Sequence, residues 1–203
     1  MCFHSKLSAD AQSIEKRFKA QFNKPAYKPT DRYVGFAHPQ TPVICKHDPQ
    51  HIQHFVWGLV PSWAKDLSIQ THTLNARIET LHQKPSFKDA VQQRCLILVD
   101  GFYEWQWLDP KGQKKQQFLI GMANDAPFAL AGIYNSCVHP QTGNLLQTYA
   151  IVTTEAVGLM AEIHNSKKRM PVVLNPQTEQ AWLSGENVFD FAKPEIDLLA
   201  REV

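Results

Sequence analysis

The chain has 203 residues, 43% hydrophobic and 20% charged, with a formal net charge of +2, which suits one soluble globular domain and excludes a histone-like basic tail, though not a local basic groove. Four scattered cysteines (Cys2, Cys45, Cys95, Cys137) with no CxxC spacing argue against a disulfide framework and for a cytoplasmic setting. No apolar run reaches the roughly 18 residues of a membrane span, and no basic-then-apolar leader opens the chain.

In chain order, residues 8–22 read as an amphipathic helix. Ser8 is its candidate N-cap, Ala11, Ile14, Phe18 and Phe22 share a face, and Asn23 and Pro25 end it. Residues 24–42, rich in Pro, His and aromatics, predict extended loop. Residues 42–45 and 54–60 predict short strands, the second broken by Pro61-Ser62-Trp63. Residues 74–80 are mixed in pattern. Ser86 and Asp89 form a capping-box pattern that predicts a helix to about Gln93. The continuous apolar run 95–99 predicts a buried strand, and the alternation over 102–108 a half-buried one. Asp109-Pro110-Lys111-Gly112 turns a hairpin whose return strand is 116–122. Residues 128–134 and 146–153 predict a further pair, 155–163 a helix and 170–174 a strand. Asn175-Pro176 caps a last helix through Trp182. No regular βαβ alternation appears. The expectation is therefore one α+β domain over residues 1–203, with a curled, mostly antiparallel, barrel-like sheet flanked by short helices.

The chemistry starts at Met1-Cys2. Once Met1 is removed, Cys2 carries a free α-amine and a thiol on one residue. The amine can condense with an aldehyde, and the sulfur can close on the imine carbon to give a thiazolidine. Reference pKa values of roughly 8 and roughly 8.5 make both groups partly reactive near neutral pH. Four further stretches hold polar residues that a core reading explains poorly. They are Trp57-Gly58-Leu59-Val60-Pro61-Ser62-Trp63, Asn75-Ala76-Arg77-Ile78-Glu79-Thr80, Asp100-Gly101-Phe102-Tyr103-Glu104-Trp105, and Ile163-His164-Asn165 running on to Arg169-Met170-Pro171.

With Met1-Cys2 these stretches resemble, in order, the motifs of the SRAP (SOS-response-associated peptidase) family, from residue 2 to about residue 174. The resemblance implies a protein that recognises abasic sites in single-stranded DNA and links Cys2 to the opened sugar as a covalent thiazolidine. It also implies self-processing or aminopeptidase removal of Met1, with lyase activity as a possible accompaniment. The residues suit that chemistry. Glu104, between Tyr103 and Trp105, can act as an acid whose pKa is raised by desolvation. Asn75 can orient the amine or a sugar hydroxyl, and His164 can exchange a proton with the sugar oxygen. Arg77 and Arg169 suit flanking phosphates, and Trp63 with Pro39 or Pro42 suits splayed bases. Phe3 and His4 stand where many members carry Gly and Arg, and Asn165-Ser166-Lys167-Lys168 lengthens the link to Arg169.

Blander readings exist for each residue. Glu104 could be a solvent-facing strand carboxylate, Asn75 a turn residue, His164 a helix-terminal histidine, and Arg77 a partner of Glu79. No metal or cofactor is expected, since no pair of His or Cys has ligand spacing. The expected partner is abasic single-stranded DNA, met by a monomer away from any membrane. Two rival readings are an N-terminal-nucleophile cysteine peptidase and a non-catalytic single-stranded DNA-binding module.

Overall fold

A computed structural model of the chain describes residues 2–23 and 27–203. Its strands are β1 (His4–Leu7), β2 (Gln21–Phe22), β3 (Thr30–Val34), β4 (Gln40–Cys45), β5 (Asp48–Trp57), β6 (Asn75–Arg77), β7 (Arg94–Val99), β8 (Gly101–Trp107), β9 (Lys115–Gly121), β10 (Phe128–Val138), β11 (Leu145–Glu155), β12 (Arg169–Pro171), β13 (Val173–Leu174) and β14 (Leu199–Glu202). Three short helices accompany them: α1 (Ala11–Phe18), α2 (Gly158–Ile163) and α3 (Pro176–Ser184). Among the described residues no helix is long and apolar enough to cross a membrane.

Strands β11, β10, β7, β4 and β5 pair in that order, and a parallel pairing of Val56 and Trp57 with Thr148 and Tyr149 joins β5 back to β11. The ring is thereby closed into a five-stranded barrel. Alternation along each strand fixes what lies inside. Val43, Phe55, Trp57, Cys95, Ile97, Val99, Leu130, Tyr149 and Ile151 pack within one buried cluster. Ile44, Leu96, Leu98, Ala131, Ile133 and Val152 point the other way, into a second cluster that includes Trp182 of α3. Both faces of β7 are buried, which is why its sequence is an unbroken apolar run. At Gly132 a β-carbon would stand 2.8 Å from Cys95 Sγ and 2.7 Å from Ile97 Cδ1, so the barrel has room there only for glycine.

A second sheet, in the order β14-β9-β8-β1-β3, lies beside the barrel. It brings the start of the chain to the end of the barrel, where the Cys2 side chain is fully buried within the inner cluster. Asp100 holds that start in place. Its carboxylate accepts hydrogen bonds from the backbone N–H of Ser8 at 2.6 Å and of Ala9 at 2.8 Å, and pairs with Lys6 Nζ at 3.1 Å.

The α+β class and the curled, mostly antiparallel sheet agree with the sequence reading, and several local elements differ from it. Helix α1 begins later than Ser8, because Asp100 takes the Ser8 N–H and hydroxyl and Asp10 supplies the cap instead, accepting from Ser13 N. It ends at Lys19 in the left-handed region, and Gln21–Phe22 turns into strand β2 against β5. The expected loop contains β3, and residues 24–26 of it lie outside the described residues, as does Met1. The expected helix after Ser86 is a single 3-10 turn, Lys88–Ala90, with no side-chain cap. The tail supplies β14, which no local pattern announces and which exists by pairing with β9.

Candidate active site

Four segments meet around Cys2. Asn75 comes from β6, held parallel to β11 by the pairing of Asn75 with Ile151. Its Nδ2 donates to the Cys2 carbonyl at 2.9 Å. Its Oδ1 is buried with no hydrogen-bond partner among the described residues. A buried acceptor without a partner costs roughly 1–3 kcal/mol, so the fold retains it at a price in stability that a binding role would explain.

Glu104 sits on β8, next to the register that pairs His4 with Tyr103, and is only 3% exposed. Burial raises its carboxyl from the ordinary range to about 7, against a lowering backbone hydrogen bond at Trp105. Its negative charge in turn acts on the Cys2 thiol. Burial first, and that charge second, push the thiol far above its usual range, with the His4 carbonyl contact opposing. The Met1-bearing chain therefore holds Cys2 as a protonated, inert thiol.

His164 follows α2, and its Nε2 lies 3.9 Å from Glu104 Oε2. Its Nδ1 accepts from the Arg169 backbone N–H at 2.9 Å, which leaves the proton of the neutral ring on Nε2, facing Glu104. Burial, with the positive charges of Lys167 and Arg169, lowers this histidine to about 4. At neutral pH the proton of the pair thus resides on the carboxyl rather than the imidazole. The four residues between His164 and Arg169 form a closed turn, in which Lys168 N donates to His164 O at 2.8 Å and Lys168 takes a left-handed φ of 48°.

Arg169 is buried and its guanidinium is already engaged. It donates to Glu79 at 2.6 and 2.9 Å and to the Thr153 carbonyl at 2.7 Å. The sequence reading expects Arg169 on a flanking phosphate; here it ties the Asn75 segment to β11 and to the His164 turn, the placement of a positioning residue. Because it takes Glu79, the pairing of Arg77 with Glu79 is displaced, and Arg77 is left exposed. Arg169→Met should lower the urea midpoint by the equivalent of about 2 kcal/mol, below the usual cost of breaking a buried pair because Glu79 is half in solvent. An unchanged midpoint would contradict the positioning role.

Trp63 is 53% exposed, with its ring nitrogen donating to Pro85 O at 3.2 Å. Pro39 is half-buried, and its carbonyl accepts the Trp57 N–H at 2.9 Å. Pro42 is buried in β4 opposite His54, away from any base-wedging position. The structure links neither Trp63 nor Pro39 to Cys2 directly. Two contributors escape the sequence reading. Asp100, given no role of its own there, is the latch of the N-terminal segment. Asn165 bridges to β8, its Oδ1 accepting from Trp107 N at 3.0 Å and its Nδ2 donating to Trp107 O at 2.9 Å. The only sequence signal for Asp100 was a carboxylate at the end of an apolar run.

Residues 1–198 match the family described as SOS response associated peptidase (SRAP). The abasic site processing protein YoqW of Bacillus subtilis (strain 168) is 46% identical over 132 residues, covering 64% of this chain and 56% of that protein. The abasic site processing protein HMCES of Pongo abelii is 32% identical over 157 residues, covering 63% of this chain and 43% of that protein. The chain thus spans about half the length of the curated relatives it matches. A crystal structure of a protein from Bacteroides thetaiotaomicron superposes with a TM-score of 0.89 at 29% identity, covering 100% of this chain and 92% of that one.

Proposed function

The chain belongs to the SOS response associated peptidase (SRAP) family, and from that premise we propose that it captures abasic sites in single-stranded DNA through a covalent thiazolidine at Cys2. The observation that carries this reading is the convergence on Cys2 of an unfilled amide acceptor, Asn75 Oδ1, and a buried acid, Glu104, poised near neutrality. Relatives named as abasic site processing proteins supply the substrate class.

In this reading Met1 is removed first, the one peptide cleavage required, by the chain itself or by an aminopeptidase. The new α-ammonium lies on the same residue as the thiol and lowers its pKa, working against the burial that raises it. Asn75 holds the Cys2 carbonyl and accepts from the amine. Glu104, about half protonated near pH 7, gives its proton to the ring oxygen of the closed sugar and takes up that of the anomeric hydroxyl, so the ring opens to the aldehyde and the acid is regenerated. The amine adds to that carbon, and loss of one water leaves an imine. The Cys2 sulfur then adds to the same carbon and its proton passes to the imine nitrogen, so aldehyde, amine and thiol become thiazolidine plus water. His164, neutral and protonated at Nε2, donates from that atom toward Glu104 or the leaving oxygen and steadies the negative charge that builds there. Arg77 takes a flanking phosphate, and Trp63 and Pro39 support splayed bases.

The test compares two single-stranded oligonucleotides, one with a true abasic site and one with a tetrahydrofuran analogue that cannot open. A denaturant-resistant shifted band is expected with the first alone. A band with the analogue, or none with either, would overturn the reading.

A further inference from the structure

The five-stranded sheet has a second face that the capture chemistry does not use. Alternation along β8 sets Glu104 on the active-site side and Tyr103, Trp105 and Trp107 on the other. Each of those rings has a basic neighbour. The Arg32 guanidinium lies 4.0 Å from the Tyr103 ring centroid, the His4 ring 4.9 Å from Trp105, and Lys115 Nζ 5.5 Å from Trp107. Arg32 and Lys115 are exposed, and Trp105 and Trp107 are half-buried. Alternation puts no carboxylate of β1, β8 or β9 on this face: their one acid among the described residues, Glu104, falls on the opposite one.

Two polar atoms here are buried without hydrogen-bond partners among the described residues, His4 Nδ1 and Gln117 Nε2. Gln117 stands directly across from Trp105, and its Oε1 accepts from Arg32 at 3.3 Å. The rings are also fixed in advance. A β-carbon at Gly112 would come within 2.6 Å of the Trp107 ring, so the hairpin turn packs tightly against it, and Asn165 clamps the Trp107 backbone. Trp105 and Trp107 are spaced by about 7 Å along the strand, room for one unstacked base on each.

We propose that this face is a stacking platform for the single strand leading away from the abasic site, with bases on Trp105 and Trp107 and phosphates on Arg32 and Lys115. This rests on the reading of single-stranded DNA as partner. Aromatic rings with the cations Arg32 and Lys115 beside them match what an unpaired strand offers: ring faces and phosphates. Glu104 and Trp105 are consecutive residues on opposite faces of β8, so a strand leaving the reacting sugar reaches the platform by rounding the β8 edge beyond His4, where the pairing with β1 ends.

The experiment uses the full chain and strands carrying the tetrahydrofuran analogue, which cannot react with Cys2, with 2-aminopurine placed at successive positions on either side. Quenching is expected within a few nucleotides on one side of the lesion. Arg32→Gln and Lys115→Gln should each weaken binding about 5-fold or more and reduce the salt slope by about 0.7 per lost contact. Trp107→Leu should remove the quenching. A short strand with the aldehyde lesion and one nucleotide on each side should crosslink at the parent rate in all three variants. Unchanged binding and quenching would overturn the platform, as would an equal slowing of the short strand. Failure of the unaltered chain to crosslink the short strand would overturn the capture reading instead. Arg32→Gln, at an exposed position, keeps the test valid should Trp107→Leu fail to fold.

Discussion

Cys2→Ala should abolish the stable adduct with abasic single-stranded DNA, by at least about a hundredfold in yield at fixed time, while the protein still folds. The amine of the variant can still form an imine, but an imine hydrolyses, and only the sulfur closes it to the ring. Borohydride should therefore trap an adduct of the variant that vanishes without reductant. The structural cost is small. Cys2 lies in the inner cluster at the barrel end, and loss of one buried sulfur costs about 1 kcal/mol, a Tm drop of a few degrees for a domain of this size. A variant that crosslinks like the parent would contradict any role for the thiol.

Glu104→Gln should act in opposite directions on rate and on stability. As the buried acid, Glu104 contributes a factor of about 10² to 10⁴ to capture, the usual worth of a positioned proton donor. Parent capture should decline as pH rises through about 7, where the carboxyl ionises, and the variant should lack that inflection. Stability follows from the same shift. A carboxyl raised to about 7 in the folded chain binds its proton more tightly there than in the unfolded chain, where it ionises near about 4.3. Its stability contribution is full below the unfolded value and is lost as pH rises through the folded one. Glutamine cannot ionise, so the variant should match the parent near about pH 4 and melt several degrees higher near about pH 8. A variant slower in capture yet more stable in alkali marks a residue retained for chemistry. Equal Tm values at both pH values would contradict the raised carboxyl.

Elements set by local physics were legible from the sequence. The apolar run of β7, the alternation of β8 and the turn at Asp109-Pro110-Lys111-Gly112 all read correctly, as did the Asn175 cap of α3, which accepts from Gln177 N and Thr178 N. Elements decided by distant partners were not. Ser8 looks like a helix cap until Asp100, far along the chain, captures its N–H. The residues of β14 carry no strand pattern and become a strand by lying against β9. The same division runs through the site. Residue types and order pointed to Cys2, Asn75, Glu104 and His164 as one group, and the fold brings these segments together. Sequence could not show that Glu79 occupies Arg169, because the two residues stand far apart in the chain and only the barrel makes them neighbours. Nor could it show that Cys2 is buried at the barrel end.

The central claim is that the amine and the sulfur of Cys2 both bond to one sugar carbon. Intact and fragment mass spectra of the isolated adduct test it most directly. The expected mass is the chain without Met1 plus the oligonucleotide less one water. Fragmentation should place the modification on Cys2, with its thiol closed to alkylation and the linkage unaffected by borohydride. An adduct on a chain that retains Met1, or on any residue other than Cys2, would contradict the account.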